Sequence, residues 1–351
     1  MDIPIEEESA AVLEYIGFEK STASEIFERY AGRPDPDQCP DDLLDYACAQ
    51  ISLLKTKSYR DMDMQEAMAR VGLTQQIQTA IADPAFSDIL WTRDLHFWVK
   101  DTLETNYATL FRRQELLKRP ARYRIAHKNK RRKTLEPATV TATVNIDVMT
   151  QDFLQLPSAH VAVLKGDVPT RPDHVLLYKG KAYWDLRGWG SQRLIRADGS
   201  IDLSRLSTDA GGDFNSKFNA LYWTPDKEMA ERYRRWAARR CPRSETCLIQ
   251  IQIPNTFIGR LRSAVIGSSA DWKEFVWTCK QTDSFNFDYL GDVDLIKGHI
   301  STGMSLSPIC VEMDRPALQW MFWKDKTLRF AGRCTLKFSR RLVRKVLLYI
   351  C

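Results

Sequence analysis

In the first third of the chain apolar residues return at every third or fourth position, the period of a helix that packs along one face. "SAAVLEYIGF" carries Val12, Leu13 and Ile16 in this way, and "STASEIFERYAG" carries Ile26, Phe27 and Tyr30. Ser21 is placed to cap the second of these helices and Gly32 to end it. "PDDLLDYACAQISLL" and "DMQEAMARVGL" repeat the pattern, each opening with acids that suit the positive end of a helix dipole. "SDILWTRDLHFWVKDTLETNYATLFRRQELLK" reads as one long amphipathic segment. Its stripe of Leu90, Trp91, Leu95, Trp98 and Leu103 serves packing, with His96 as a core or rim residue. After Pro137 the period shortens to two, and in "TVTATVNIDV" the residues Val140, Ala142, Val144, Ile146 and Val148 share a face. Further strands are expected at "HVAVLK", "HVLLYK", "ALYWT", "LIQIQI", "VDLIKGHI" and "CTLKFS". The expected class is therefore α+β: a helical domain over residues 1–135 and a mixed β-sheet domain over 136–351.

Composition narrows the class without naming a function. A chain of 351 residues is long enough for two cores, and 44% hydrophobic with 27% charged residues is a globular balance. No apolar run reaches the roughly 18 to 20 residues that span a bilayer, so no membrane partner is expected. The start, "MDIPIEEESA", is acidic and fits neither a secretory signal nor a transit peptide. The eight cysteines are scattered, and the closest pair, Cys241 and Cys247, has no clustered histidines to complete a metal site. Reduced thiols in the cytoplasm or nucleus are the expectation.

Charge is distributed unevenly. Residues 1–50 hold thirteen acids against Lys20, Arg29 and Arg33, whereas residues 112–133 hold eleven Arg or Lys against Glu115 alone. The densest part, "HKNKRRK" at 127–133, suits nuclear import, phosphate binding or a solvated linker. It has no interleaved aromatics of the kind that stack on bases.

Two stretches suggest chemistry. In "HVLLYKGKAYWDLRGWG" an apolar strand ends on Tyr178-Lys179-Gly180, where a side chain and bare backbone can both meet a ligand. In "ALYWTPDKEMAERYRRWAARRCP" a strand enters a helix: Thr224 is placed as N-cap, Pro225 at the first helical position, and Asp226 and Glu228 in the first turn. Met229, Tyr233 and Trp236 then share a face, and Pro242 forbids continuation. Tyr222 closes the strand and offers a flat wall for a planar ligand or a plain core contact. Gly211-Gly212 in "STDAGGDF" reads as a flexible turn, which only the family resemblance drawn below would make a lid or target-recognition loop. His174 and His299 are lone strand histidines of the core or rim, His299 with the further option of bordering a cleft. Phosphate-loop, H-E-x-x-H and G-x-S-x-G motifs are absent.

The order "LYKG", "YWTPDKEMAERYRRWA", "DWKEFVW" and "DVDLIKGHI" resembles the ADP-ribosyltransferase-like superfamily. The likeness is to its domains of unknown function that begin "LYHG" and continue to "YDIVIG", and it covers residues 174–340. The resemblance implies a mixed-sheet domain that uses NAD as substrate. Gly180 would offer its backbone to the nicotinamide carboxamide, Lys179 would contact ribose or phosphate, and Tyr178 would border the same edge. Tyr222, or less directly Tyr233, would stack on the ring. Catalysis would also need a carboxylate beside an oxocarbenium-like transition state. The late-strand position that relatives use is held here by Arg333, Cys334 and Thr335, so Glu274 in "DWKEFVW" is the expected catalytic acid, with Glu312 in "ICVEMD" as the other nearby choice. Asp292 and Asp294 read as turn or strand-edge residues. The implied function is an intracellular mono-ADP-ribosyltransferase-like or NAD glycohydrolase-like protein, with a protein or nucleic-acid acceptor, or water. The alternative is a non-catalytic interaction or nucleic-acid-binding protein on the same fold.

Overall fold

Helical periodicity in the first 118 residues becomes helices in the computed structural model, which describes residues 3–34, 40–118, 170–182, 206–208, 212–215, 219–280, 293–303, 311–312, 317–322, 338–341 and 345–348. Helix α1 (Ala10–Ile16) buries Val12, Leu13 and Ile16, as its spacing requires. Helix α2 (Lys20–Ala31) ends at Gly32 as expected but begins earlier than Ser21, with Glu19 at the N-cap. The reason lies in the preceding backbone: Phe18 bridges Leu73, and Glu19 N–H donates to Gly72 O at 2.8 Å, so the chain turns helical directly after that anchor. Helix α3 (Leu43–Ile51) opens with a reciprocal cap between Asp42 and Asp45. Short helices α4 (Lys57–Arg60), α5 (Met64–Arg70), α6 (Gln75–Ile81) and α7 (Ser87–Leu90) follow.

The long segment expected from Ser87 is broken. Thr92 Oγ1 turns back to donate to Ile89 O at 2.8 Å, and Asp94 Oδ1 accepts from Phe97 N–H at 2.7 Å, capping a new helix, α8 (Leu95–Lys118). Trp91 falls in the break and is 43% exposed, so it does not belong to the packed stripe. His96 is buried in the first turn of α8. Among the described residues no helix is long and apolar enough to cross a membrane.

Among the described residues two four-stranded sheets make up most of the β structure, and the class is α+β. The first runs in the order β1 (His174–Ala182), β3 (Thr246–Pro254), β10 (Lys345–Leu348), β9 (Phe338–Arg341). The second runs β2 (Leu221–Trp223), β8 (Leu318–Phe322), β5 (Leu295–His299), β4 (Ser263–Ile266). A small pair, β6 (Ser301–Thr302) with β7 (Val311–Glu312), extends from the end of β5. Strands β4, β8 and β10 were not expected from the sequence. Helix α9 (Lys227–Arg240) covers β1 and β3, α10 (Asn255–Ile258) follows β3, and α11 (Ala270–Lys280) packs Trp272, Phe275, Val276 and Cys279 into the second sheet's core. The boundary near 135, the basic run 127–133 and the strands "TVTATVNIDV" and "HVAVLK" lie outside the described residues.

Helix α9 starts two residues after its expected cap. Thr224 exchanges both backbone hydrogen bonds with Tyr178, at 2.7 and 3.0 Å, so it remains in extended conformation. Asp226 takes over as N-cap and accepts from Glu228 and Met229 N–H. The face of α9 that reads as amphipathic packs against the N-terminal helices. Met229 and Trp236 are buried in the same core as α1 to α8, joined by Ile300 and Ala317. Trp236 meets Trp98 edge-on at 4.3 Å. Arginines reinforce this seam: Arg232 pairs with Asp88, Arg239 with Asp83, and Arg240 with Asp101, each at 2.7 Å. Helix α9, with Ile300 and Ala317, thus joins the core of the helical part, while the second sheet keeps a cluster of its own around Phe214, Trp272 and Phe275.

Candidate functional site

Strand β1 carries its side chains alternately to two sides, and this parity sorts the expected site residues. Tyr178 and Gly180 face α9, where Tyr178 packs with Ala230 and Leu248. A Cβ at Gly180 would lie 1.9 Å from Ala230 O and 2.6 Å from Arg234 N. The helix backbone therefore fills the space that the sequence reading left for a ligand, and the glycine is required by the strand–helix crossing. Lys179 points the other way. It is 9% exposed, and its Nζ donates to Thr208 Oγ1 and Tyr222 O, each at 3.2 Å. A buried ammonium needs such acceptors to offset lost hydration.

The same side holds Tyr222, whose hydroxyl accepts from Phe214 N–H at 3.1 Å. Gly212 permits this fit, because a Cβ there would stand 2.6 Å from the phenol oxygen. Burial pushes the Tyr222 phenol far above its usual range, only partly offset by the Phe214 hydrogen bond. Tyr233, on α9, reaches the N-terminal part through a long 3.5 Å bond to Thr92 Oγ1, and burial raises its phenol as well. Both tyrosines are therefore neutral, suited to stacking and hydrogen bonding rather than to proton abstraction.

These residues surround a cavity of about 280 Å³ on the seam between the helical part and the sheets. Tyr178, Lys179, Gly180, Tyr222 and Tyr233 all line it. The break before α8 and its first turns form the facing wall, with Arg93, Phe97 and Trp98. Arg93 lies 4.1 Å over the Phe97 ring, and Arg240 lies between Trp98 and Trp236 at 4.9 and 4.7 Å. The lining cations are Arg93, Lys100, Lys179, Lys181 and Arg240; the lining carboxylates are Asp101, Glu104 and Asp213. Arg240 and Lys100 are paired with Asp101 and Glu104. The volume sits at the low end of the roughly 300–1,000 Å³ of small-molecule sites.

Asp213 is a wall residue in the loop that the sequence marks only as a turn. It is 5% exposed and accepts from Ser301 N–H and Ser301 Oγ at 2.8 Å each and from Gln319 Nε2 at 2.5 Å. Lys280 Nζ, equally buried, stands 3.2 Å away. This loop is therefore tied to β6, β8 and α11. The signal that was available is the acid directly after Gly212 and ahead of an aromatic strand.

The structure does not bring Glu274 to the cavity. Helical period places Trp272, Phe275, Val276 and Cys279 of α11 inward, and Glu274 falls on the opposite, exposed face. Its expected role as catalytic acid is not supported by this placement. Asp294 Oδ2 accepts from Arg262 N–H and Nε at 3.1 and 3.2 Å, the strand-edge role expected of it. His299 does not line the cavity, nor does His174, whose Nδ1 lies 2.7 Å from Pro172 O. Arg333, Cys334, Thr335 and Asp292 lie outside the described residues. Cys241 and Cys247 are buried thiols, and Cys241 Sγ lies 3.8 Å from Thr102 O. Compared with known proteins, the chain matches no family model, no curated protein and no solved structure.

Proposed function

We propose that the chain binds a nucleotide of the NAD class in the seam cavity, on an ADP-ribosyltransferase-like arrangement of two sheets. The observation that carries this reading is convergence. Lys179, Tyr222 and Tyr233 come from a strand, a second strand and a helix, yet border the same space. Neutral tyrosines and tryptophans offer flat surfaces for a planar ring, and cations exceed carboxylates around them, which suits phosphate. A volume near 280 Å³ matches one ring-bearing half of a dinucleotide better than the whole. The chemistry that bound NAD supplies is departure of nicotinamide, with ADP-ribose passing to a protein, a nucleic acid or water. In this chain Lys179 would hold phosphate or ribose oxygen, and Tyr222 would orient the ring.

A second reading, binding without turnover, is favoured by the placement of Glu274 on an exposed face. One experiment separates the two. The full chain is titrated with NAD while tryptophan fluorescence is followed, and free nicotinamide is assayed over hours. Quenching that saturates, with nicotinamide release above the buffer control, supports transfer or hydrolysis. Saturable quenching without release supports the binding protein. Absence of any saturable response sinks the NAD reading altogether.

A further inference from the structure

We propose that Tyr222 and Gln319 form a donor–acceptor pair on the sheet wall of the seam cavity that reads the amide edge of a planar ring. The ligand's carbonyl oxygen would accept from Tyr222 Oη–H, and its N–H would donate to Gln319 Oε1. This rests on the nucleotide reading above for the size and class of ligand, and adds which group of it is recognised. Both residues line the cavity. They stand on neighbouring antiparallel strands. Tyr222 of β2 is opposite Met321 of β8, so Gln319, two positions before Met321, shares its face as a diagonal neighbour. Such neighbours lie about 7–8 Å apart, a gap that an amide edge bridges with one hydrogen bond at either end.

The loop at 212–215 decides which atom each side chain offers. Phe214 N–H donates to Tyr222 Oη at 3.1 Å, so the phenol accepts from the protein and keeps its own proton, which no described residue accepts. Burial raises the phenol and so holds that proton in place. On Gln319, Nε2 donates to Asp213 Oδ2 at 2.5 Å and to His299 O at 3.2 Å, which engages both of its hydrogens. The amide therefore has only its oxygen left to offer. The residue is 8% exposed, yet among the described residues nothing donates to Oε1, and that oxygen is not sealed in protein. A largely buried acceptor without a donor is costly until a ligand or water supplies one. Asp213, itself held by Ser301 and facing Lys280, is the positioning group that fixes this orientation. A hydroxyl donor near a fixed carbonyl acceptor matches a group that carries C=O and N–H side by side. It discriminates against one that lacks either, because a polar group of the wall is then left unpaired.

The test uses the full chain and a series of small probes, with affinities read by ligand-observed NMR titration. Nicotinamide carries the whole amide edge. Pyridines bearing acetyl or methyl at the same ring position carry the carbonyl alone or neither group, and uridine carries the edge on a pyrimidine. Affinity should fall by about three- to tenfold at each step from amide to acetyl to methyl, as for one neutral hydrogen bond. That comparison needs no variant. Tyr222→Phe should weaken nicotinamide by a similar factor and leave the methyl compound unchanged; if this variant does not fold, the probe series decides. Uridine binding in a protein that ignores nicotinamide and NAD, weakened by Tyr222→Phe, would keep this inference and remove the NAD reading. NAD binding that is indifferent to Tyr222→Phe, with nicotinamide no tighter than its methyl counterpart, would do the reverse. Equal affinities at either step of the series, or no binding by nicotinamide and uridine alike, overturn the inference.

Discussion

At Gly180 one hydrogen separates a strand from the backbone of a helix, and that contact gives the sharpest residue-level expectation. Gly180→Ala would place a methyl 1.9 Å from Ala230 O, so strand and helix must part. Overpacking of this kind costs about 1–3 kcal/mol, and urea denaturation should show a loss in the upper part of that range. Glu274→Gln, on an exposed helix face, should change stability by less than about 0.5 kcal/mol and leave NAD binding and any nicotinamide release as they were. His96 yields a pH expectation. Burial, together with the nearby Lys55 charge, lowers its pKa to about 4, against an ordinary value near 6.5. Between these values the unfolded chain binds the extra proton. The contribution is thus complete above pH 6.5 and is lost as pH falls toward 4, on the order of 3 kcal/mol. Replacing His96 with Gln should flatten that part of a stability–pH curve. Sequence identified Tyr178 to Gly180, Tyr222 and Tyr233 as a group. It does not reveal that α9 stands against Gly180 or that Glu274 faces outward, because neither a glycine nor a helical acid declares what stands opposite it.

Elements were legible where a cap or a period was unambiguous. Helix α9 was anticipated from its first-turn acids to its terminal arginines, and only its start shifted, since a tertiary bridge to Tyr178 kept Thr224 extended. Strands β4, β8 and β10 were missed, and each has only four or five residues. Runs that short give too few alternations to separate a strand from a loop. The loop at 212–215 is the element whose role the sequence understated. Asp213 holds it to β6 and β8 while Lys280 of α11 faces the same carboxylate. Removing one partner of a buried ion pair leaves the other uncompensated, so Lys280→Met should cost about 3 kcal/mol or more in urea denaturation. The double variant Asp213→Asn, Lys280→Met should recover part of that loss. Strictly additive costs would show that the two groups are not coupled.

For the molecule as a whole, a change of hydrophobic period and of charge suggested two domains. What no periodicity reveals is the partner of a buried stripe. Trp236 packs against Trp98, far away in sequence, and the arginines of α9 find their acids on α7, α8 and the turn after α6. Calorimetry should accordingly show one cooperative unfolding transition, and residues 136–351 expressed alone should lack native tryptophan packing; two independent transitions would contradict a structural role for the seam between α9 and the N-terminal helices. Arg240 has a further consequence, since it braces the seam and also borders the cavity. Occupancy of that space and folding of the entire chain are then thermodynamically linked, and any ligand that binds only the folded form raises the melting temperature. At a concentration a hundredfold above its Kd the gain is about 2.7 kcal/mol. The intact chain is therefore its own reporter. A library of small molecules can be sorted by heat alone, before the chemical identity of the natural ligand is known.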